Sequence, residues 1–142
     1  MFLGTYFPRL DDKGRLFLPA KFRAALTEGC VLTRGQERCL YVFTMERFAE
    51  LAARFSQASM TSGEARDYQR IFFSSASDEV PDKQGRITVA APLRVHADLT
   101  HECVVVGNND RLEIWNSATW ATYLDSKVDG YSTVDKEVIP GI

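Results

Sequence analysis

Two short segments of the chain place an acid, a glycine and an arginine at the same spacing: Asp11-Asp-Lys-Gly-Arg15 and Asp82-Lys-Gln-Gly-Arg86. Glycine at the fourth position permits a backbone conformation that is costly for other residues. The aspartate can accept N–H groups inside the turn or pair with the arginine four residues on, and either bond stiffens the loop. Asp11, Gly14, Asp82 and Gly85 are therefore expected to shape the loops. Arg15 and Arg86 stand where the chain leaves each turn. Their planar forks suit phosphate oxygens, or the O6 and N7 atoms of guanine. Lys13 and Lys83 add charge beside them. Arg9, Lys21, Arg23 and Arg94 flank the loops and are expected to track a nucleic-acid backbone. On spacing alone, a surface ion pair that merely ties off a turn, worth ~0–1 kcal/mol, explains the motif equally well.

Other chemistries find little footing. The three cysteines, Cys30, Cys39 and Cys103, are an odd number with no Cys-x-x-Cys pair. This disfavours a disulfide framework or a zinc site, and small buried hydrophobes are expected instead. His96 and His101 lack a second metal-spaced pair, so they are expected at the surface or partly buried. No carboxylate pair stands out as acid and base, and Ser74-Ser-Ala-Ser77 lacks a nucleophile-elbow setting. No enzyme activity, cofactor, metal or small-molecule substrate is expected. No continuous apolar run approaches the ~18 residues of a membrane span, and residues 1–9 lack the pattern of a signal peptide. The expectation is a cytoplasmic protein.

The 142 residues carry a net charge of −2, which by itself argues against a polyanion partner. The charge is uneven, however. Residues 9–23 hold five bases against two acids, residues 82–94 three bases against one acid, and residues 95–142 eight acids against three bases. The two looped segments are locally positive on an acidic chain.

These loops belong to an internal repeat. Asp11-Asp-Lys-Gly-Arg-Leu-Phe-Leu-Pro-Ala-Lys-Phe-Arg23 returns 71 residues later as Asp82-Lys-Gln-Gly-Arg-Ile-Thr-Val-Ala-Ala-Pro-Leu-Arg94, with five of thirteen positions identical. Cys30-Val-Leu answers Cys103-Val-Val, Leu40–Thr44 answers Leu112–Asn116, and Phe48 answers Trp120. Each copy reads as a strand (Thr5–Leu10, then Ser77–Val80), the loop, a second strand, a short helix, and a hairpin. The hairpins turn at Arg34–Arg38 and Gly107–Asp110. Thr44 and Asn116 are placed to cap the helices that follow. In Met45–Gln57, Phe48, Leu51, Ala52 and Phe55 share a helical face; Trp120, Tyr123 and Leu124 do the same in the second copy. Ser56–Gly63 reads as a loop, Glu64–Phe73 as a helix, and the chain beyond about Asp129 as a loosely ordered tail.

The expected fold class is α+β with a mainly β core. Neither half has enough strands to close a sheet, so two pseudo-symmetric repeats would pair as subunits of a dimer do, giving a small β-barrel with flanking helices. The divisions are repeat one at 5–47, connecting helices at 48–75, repeat two at 76–119, and a C-terminal helix and tail at 120–142.

Met1-Phe-Leu-Gly-Thr-Tyr6, Asp11-Asp-Lys-Gly-Arg-Leu16, Leu18-Pro-Ala-Lys-Phe-Arg23 and Asp82-Lys-Gln-Gly-Arg-Ile87 closely resemble the bacterial MraZ family over residues 1–125. The resemblance implies two SpoVT-AbrB-like repeats in a swapped-hairpin barrel. It implies a transcription regulator at the promoter of the division and cell-wall gene cluster, nucleoid-associated and binding double-stranded DNA at short promoter repeats. It also implies a ring-shaped homo-oligomer, and site residues Asp11, Arg15, Asp82 and Arg86. Many weak patches in one ring gain through effective concentration, which answers the charge objection. A protein–protein adaptor or antitoxin on the same barrel, without DNA, is the alternative. The second motif departs from the first, with Lys83-Gln84 for Asp12-Lys13 and Ala90-Ala-Pro92 for Pro19-Ala-Lys21, so the second loop is expected to add less charge.

Overall fold

The computed structural model describes residues 1–58 and 60–142. In the first repeat, β1 (Phe2–Tyr6) leads to β2 (Arg15–Phe17), α1 (Ala20–Leu26), β3 (Cys30–Arg34) and β4 (Leu40–Thr44). Then α2 (Met45–Phe55) and α3 (Gly63–Ser74) lead to the second repeat. That repeat runs β5 (Ser77–Glu79), β6 (Arg86–Thr88), α4 (Ala91–His96), β7 (Cys103–Asn109), β8 (Arg111–Asn116) and α5 (Ser117–Thr133). The architecture is α+β with a mainly antiparallel β core.

Strand pairing is exchanged between the repeats. A six-stranded sheet has the order β1-β7-β8-β4-β3-β5, and β2 pairs with β6 as a second, two-stranded sheet. Thus β1 lies on the hairpin of the second repeat, while β5 lies on the hairpin of the first. The repeats meet where equivalent strands face each other, Leu16 opposite Ile87 and Tyr41 opposite Glu113. A pseudo-two-fold axis passes through both pairings. Each half therefore completes the sheet of the other, as the strand count of a single repeat requires.

The core follows the period-two pattern of these strands. Leu16, Leu18, Leu32, Leu40, Val42, Ile87, Val89, Val105, Leu112 and Ile114 form one buried cluster with Phe22 and Leu26 of α1 and Leu93 of α4. Truncating one such leucine to alanine costs about 2–5 kcal/mol. Aromatic packing covers the opposite side. Phe48 and Phe55 of α2 meet Phe72 and Phe73 of α3 with ring centroids 5.0–5.8 Å apart, while Trp115, Trp120 and Tyr123 gather beneath α5. Thr44 and Asn116 cap their helices, accepting from the amides of Arg47 and Thr119 at 3.0 and 2.9 Å.

Three local expectations shift. The first strand lies at Phe2–Tyr6 rather than Thr5–Leu10. Pro8 has no N–H for the ladder, and only its carbonyl is used, accepting from the Cys103 amide at 3.3 Å. The second hairpin keeps strand pairing through Gly107 and Asn108, so its turn is shorter than Gly107–Asp110. The last helix continues past Asp129 to Thr133, because a helix already nucleated gains a hydrogen bond with each added residue. Within the expected 56–63 loop, residue 59 lies outside the described residues.

Candidate nucleic-acid interface

The β2–β6 pair brings the two Asp-x-x-Gly-Arg loops together about the pseudo-two-fold axis. Each loop is organised by its aspartate in the same way. One oxygen of Asp11 accepts from the amides of Lys13 and Arg15, both at 2.9 Å, and the other accepts from Arg15 Nε at 2.8 Å. Asp82 does the same for the amides of Gln84 and Arg86, at 2.9 Å, and for Arg86 Nε at 2.7 Å. The backbone closes the turns, Gly14 N–H donating to Asp11 O at 3.0 Å and Gly85 N–H to Asp82 O at 2.9 Å. Gly14 and Gly85 have φ of 78° and 77°, a region that favours glycine. Both possibilities offered by the sequence, amide acceptance and the ion pair, are realised together.

The electrostatics match this geometry. The Arg15 amide, foremost, holds the Asp11 carboxyl below its usual value; burial opposes this, and the Arg15 side chain and Lys13 amide reinforce it. Asp82 is lowered likewise, first by the Arg86 amide. Both aspartates are thus anionic near neutral pH and pinned to Nε of their arginines. The Nη atoms of Arg15 carry no hydrogen bond among the described residues. Arg86 Nη1 approaches Asp11 Oδ2 at 3.9 Å, and its guanidinium lies 5.7 Å from the centre of the Phe17 ring.

The flanking cations divide into two groups. Arg9, Lys13, Lys21 and Lys83 are exposed, with no ion pair among the described residues. Exposed Arg23 and half-buried Arg94 lie against the loops, Arg23 beside Gly85 and Arg94 beside Gly14. Charge is distributed differently from expectation. Within the five-residue loops, the first has two acids against two bases and the second one acid against two bases. Asp12 offsets Lys13, so the second loop is the more positive, although the longer segment 9–23 is more basic than 82–94.

The remaining candidates take structural places. Cys30, Cys39 and Cys103 are buried free thiols. Burial pushes Cys30 up to about 12 and Cys103 up to about 11, and raises Cys39 as well, so none is a ready thiolate. His96 Nε2 and His101 Nδ1 each lie 3.1 Å from a backbone carbonyl, of Gly35 and Leu10. Among the described residues no group of three or more His, Cys, Asp or Glu could hold a metal ion. Sequence reasoning missed the buried Glu113, which accepts from Trp115 Nε1 at 3.1 Å and pairs with Arg111 Nη2 at 3.0 Å. An acid within the apolar run Leu112–Trp115 was the available signal.

With this site in view, comparison with known proteins is decisive. A family model described as "MraZ protein, putative antitoxin-like" matches the chain twice, at residues 1–71 and 72–139. The chain belongs to the MraZ family. Proteins named transcriptional regulator MraZ from Kocuria rhizophila, Frankia alni and Micrococcus luteus are 60%, 54% and 56% identical to it over 142 residues. Each alignment covers 100% of this chain and 99% of the relative. The two matched segments meet inside α3, before β5. No helix among the described residues is long and apolar enough to cross a membrane.

Proposed function

We propose that this chain is a DNA-binding transcriptional regulator that holds double-stranded promoter DNA through its two Asp-x-x-Gly-Arg loops. The observation that carries the reading is the side-by-side display of two stiffened loops, each fixing an arginine by Nε and leaving guanidinium donors over for a ligand. Such donors suit phosphate oxygens or guanine edges. Exposed Arg9, Lys13, Lys21 and Lys83 supply further phosphate contacts, and the outer atoms of Arg23 and Arg94 lie beside the same loops. The names of the relatives support transcription regulation, rather than enzyme activity, as the biological role.

The finer reading is a ring-shaped oligomer binding short repeated elements at the promoter of the division and cell-wall gene cluster, in the cytoplasm at the nucleoid. Association is supported by an uncovered stripe on α5, where Leu124, Val128 and Tyr131 are exposed on one helical face. Copies of a weakly charged patch then act together on spaced DNA elements.

The test is fluorescence anisotropy with promoter DNA at fixed salt, with oligomer mass measured alongside. Arg15→Ala and Arg86→Ala are expected each to weaken binding by about tenfold to a hundredfold, the size of one good guanidinium contact. Binding is also expected to fall steeply with added salt. Unchanged affinity in both variants removes the loops from the interface. A stoichiometric protein partner with no DNA retention favours the adaptor or antitoxin reading, which the words "antitoxin-like" in the family description support.

A further inference from the structure

We infer that Arg23 and Arg94 are positioning residues that act crosswise: each braces the Asp-x-x-Gly-Arg loop of the opposite repeat, so that the two loops move as one unit. The inference rests on the DNA-binding reading for its consequence, but not for its test.

The argument starts at Gly85. A side-chain carbon built there would meet Arg23, with Cδ and Cζ both at 2.9 Å, so the Arg23 side chain packs on the bare face of that glycine. Leu18, in the same repeat as Arg23, completes a clamp. Its N–H donates to Gly85 O at 2.9 Å, and its own carbonyl accepts from Arg23 Nε at 3.1 Å. Loop two is thus held from both sides by repeat one, through Leu18 just after β2 and Arg23 of α1.

The symmetry mate is built alike. A carbon on Gly14 would lie 3.0 Å from Arg94 Cζ and Nη1, and Val89 N–H donates to Gly14 O at 2.7 Å. Here the clamp is incomplete. Arg94 Nε is buried with no hydrogen-bond partner among the described residues, whereas its counterpart in Arg23 is bonded. The glycines therefore serve two needs, a positive φ and room for the opposite arginine. Loop one, under the unanchored Arg94, is the less firmly held.

This arrangement fixes the spacing of Arg15 and Arg86 and hence the register in which both meet a duplex. The test is residue-resolved amide exchange on the full-length protein without DNA, in Arg23→Ala, Arg94→Ala, Arg23→Lys and Arg94→Lys. Arg23→Ala is expected to speed exchange at Gln84, Gly85 and Arg86 by about fivefold or more while sparing Lys13, Gly14 and Arg15. Arg94→Ala is expected to do the reverse, with a smaller factor. The lysine variants keep the charge but lose the planar fork, so they are expected to show the same crossed pattern and serve if an alanine variant fails to fold. Acceleration in the same repeat, equal acceleration in both loops, or no change in either overturns the inference. Binding measured in parallel separates the two ideas. A crossed exchange pattern without DNA affinity leaves the bracing intact and removes the DNA reading. Weakened binding without a change in exchange makes Arg23 and Arg94 direct phosphate contacts instead.

Discussion

The two Asp-x-x-Gly-Arg loops have the same internal hydrogen bonds, yet their arginines sit in different surroundings. The Arg86 side chain is 18% exposed, lies over the Phe17 ring, and approaches both aspartates. The Arg15 side chain is 31% exposed and, among the described residues, is ion-paired only with Asp11. The difference arises at one pair of equivalent positions. Phe17 follows Leu16 in β2, whereas Thr88 follows Ile87 in β6, and the antiparallel register sets Phe17 opposite Arg86 but Thr88 opposite Arg15. A single aromatic residue therefore anchors one arginine more than the other. The comparison teaches that a duplicated motif can divide its labour: Arg86 contributes more to the fold, and Arg15 is freer to meet a ligand.

The broadest way to break this comparison is to remove both arginines. Arg15→Ala with Arg86→Ala is expected to reduce DNA affinity by about a hundredfold or more, from two contacts each worth ~1–3 kcal/mol. Anisotropy titration at constant salt measures it, and near-native affinity would place the interface elsewhere. The single variants sharpen the comparison through stability. Arg86→Ala is expected to cost about 1 kcal/mol more than Arg15→Ala in denaturant unfolding, since it also loses the ring contact and the Asp11 approach. Phe17→Thr should narrow that gap to the share left by the Asp11 approach; an unchanged gap would assign it wholly to Asp11.

Acid tests what the loops have in common. Both aspartates are held below the usual value of 3.8, chiefly by backbone amides. A carboxyl lowered in the folded state stabilises its loop above its unfolded value, and that contribution is lost as pH falls below it. Protection of the Arg15 and Arg86 amides should therefore survive down to about 3.8 and decline together below it, read by NMR. Loss well above that value would contradict the bonding. The smallest expected effect concerns charge. Lys13→Gln makes loop one resemble Gln84 of loop two, and should lower the slope of log affinity against log salt by about one unit with little change in stability. An unchanged slope takes Lys13 out of the phosphate contacts.

Much of this was legible because it is local. Residues 11–15 and 82–86 contain the donors and acceptors that close their own turns, so type and spacing predict loop, glycine and ion pair. The caps at Thr44 and Asn116 were readable for the same reason. What escaped depends on residues far apart in sequence. Phe17 beside Arg86 and Arg23 beside Gly85 follow from a register between strands of different repeats, which no local pattern encodes. Glu113 reads as a solvent-facing strand residue until Trp115, Asn108 and Arg111 are known to surround it.

The inequality at Phe17 and Thr88 has a consequence for the DNA. A protein with a true two-fold axis reads its element identically in both directions, which is why such elements are palindromes. Here the axis is only approximate, because two different repeats are joined in one chain. On the proposed reading, one chain lying on a duplex has a head and a tail. Its preferred element is accordingly a directional word that loses affinity when inverted, and an operator for many chains is best written as words all facing one way.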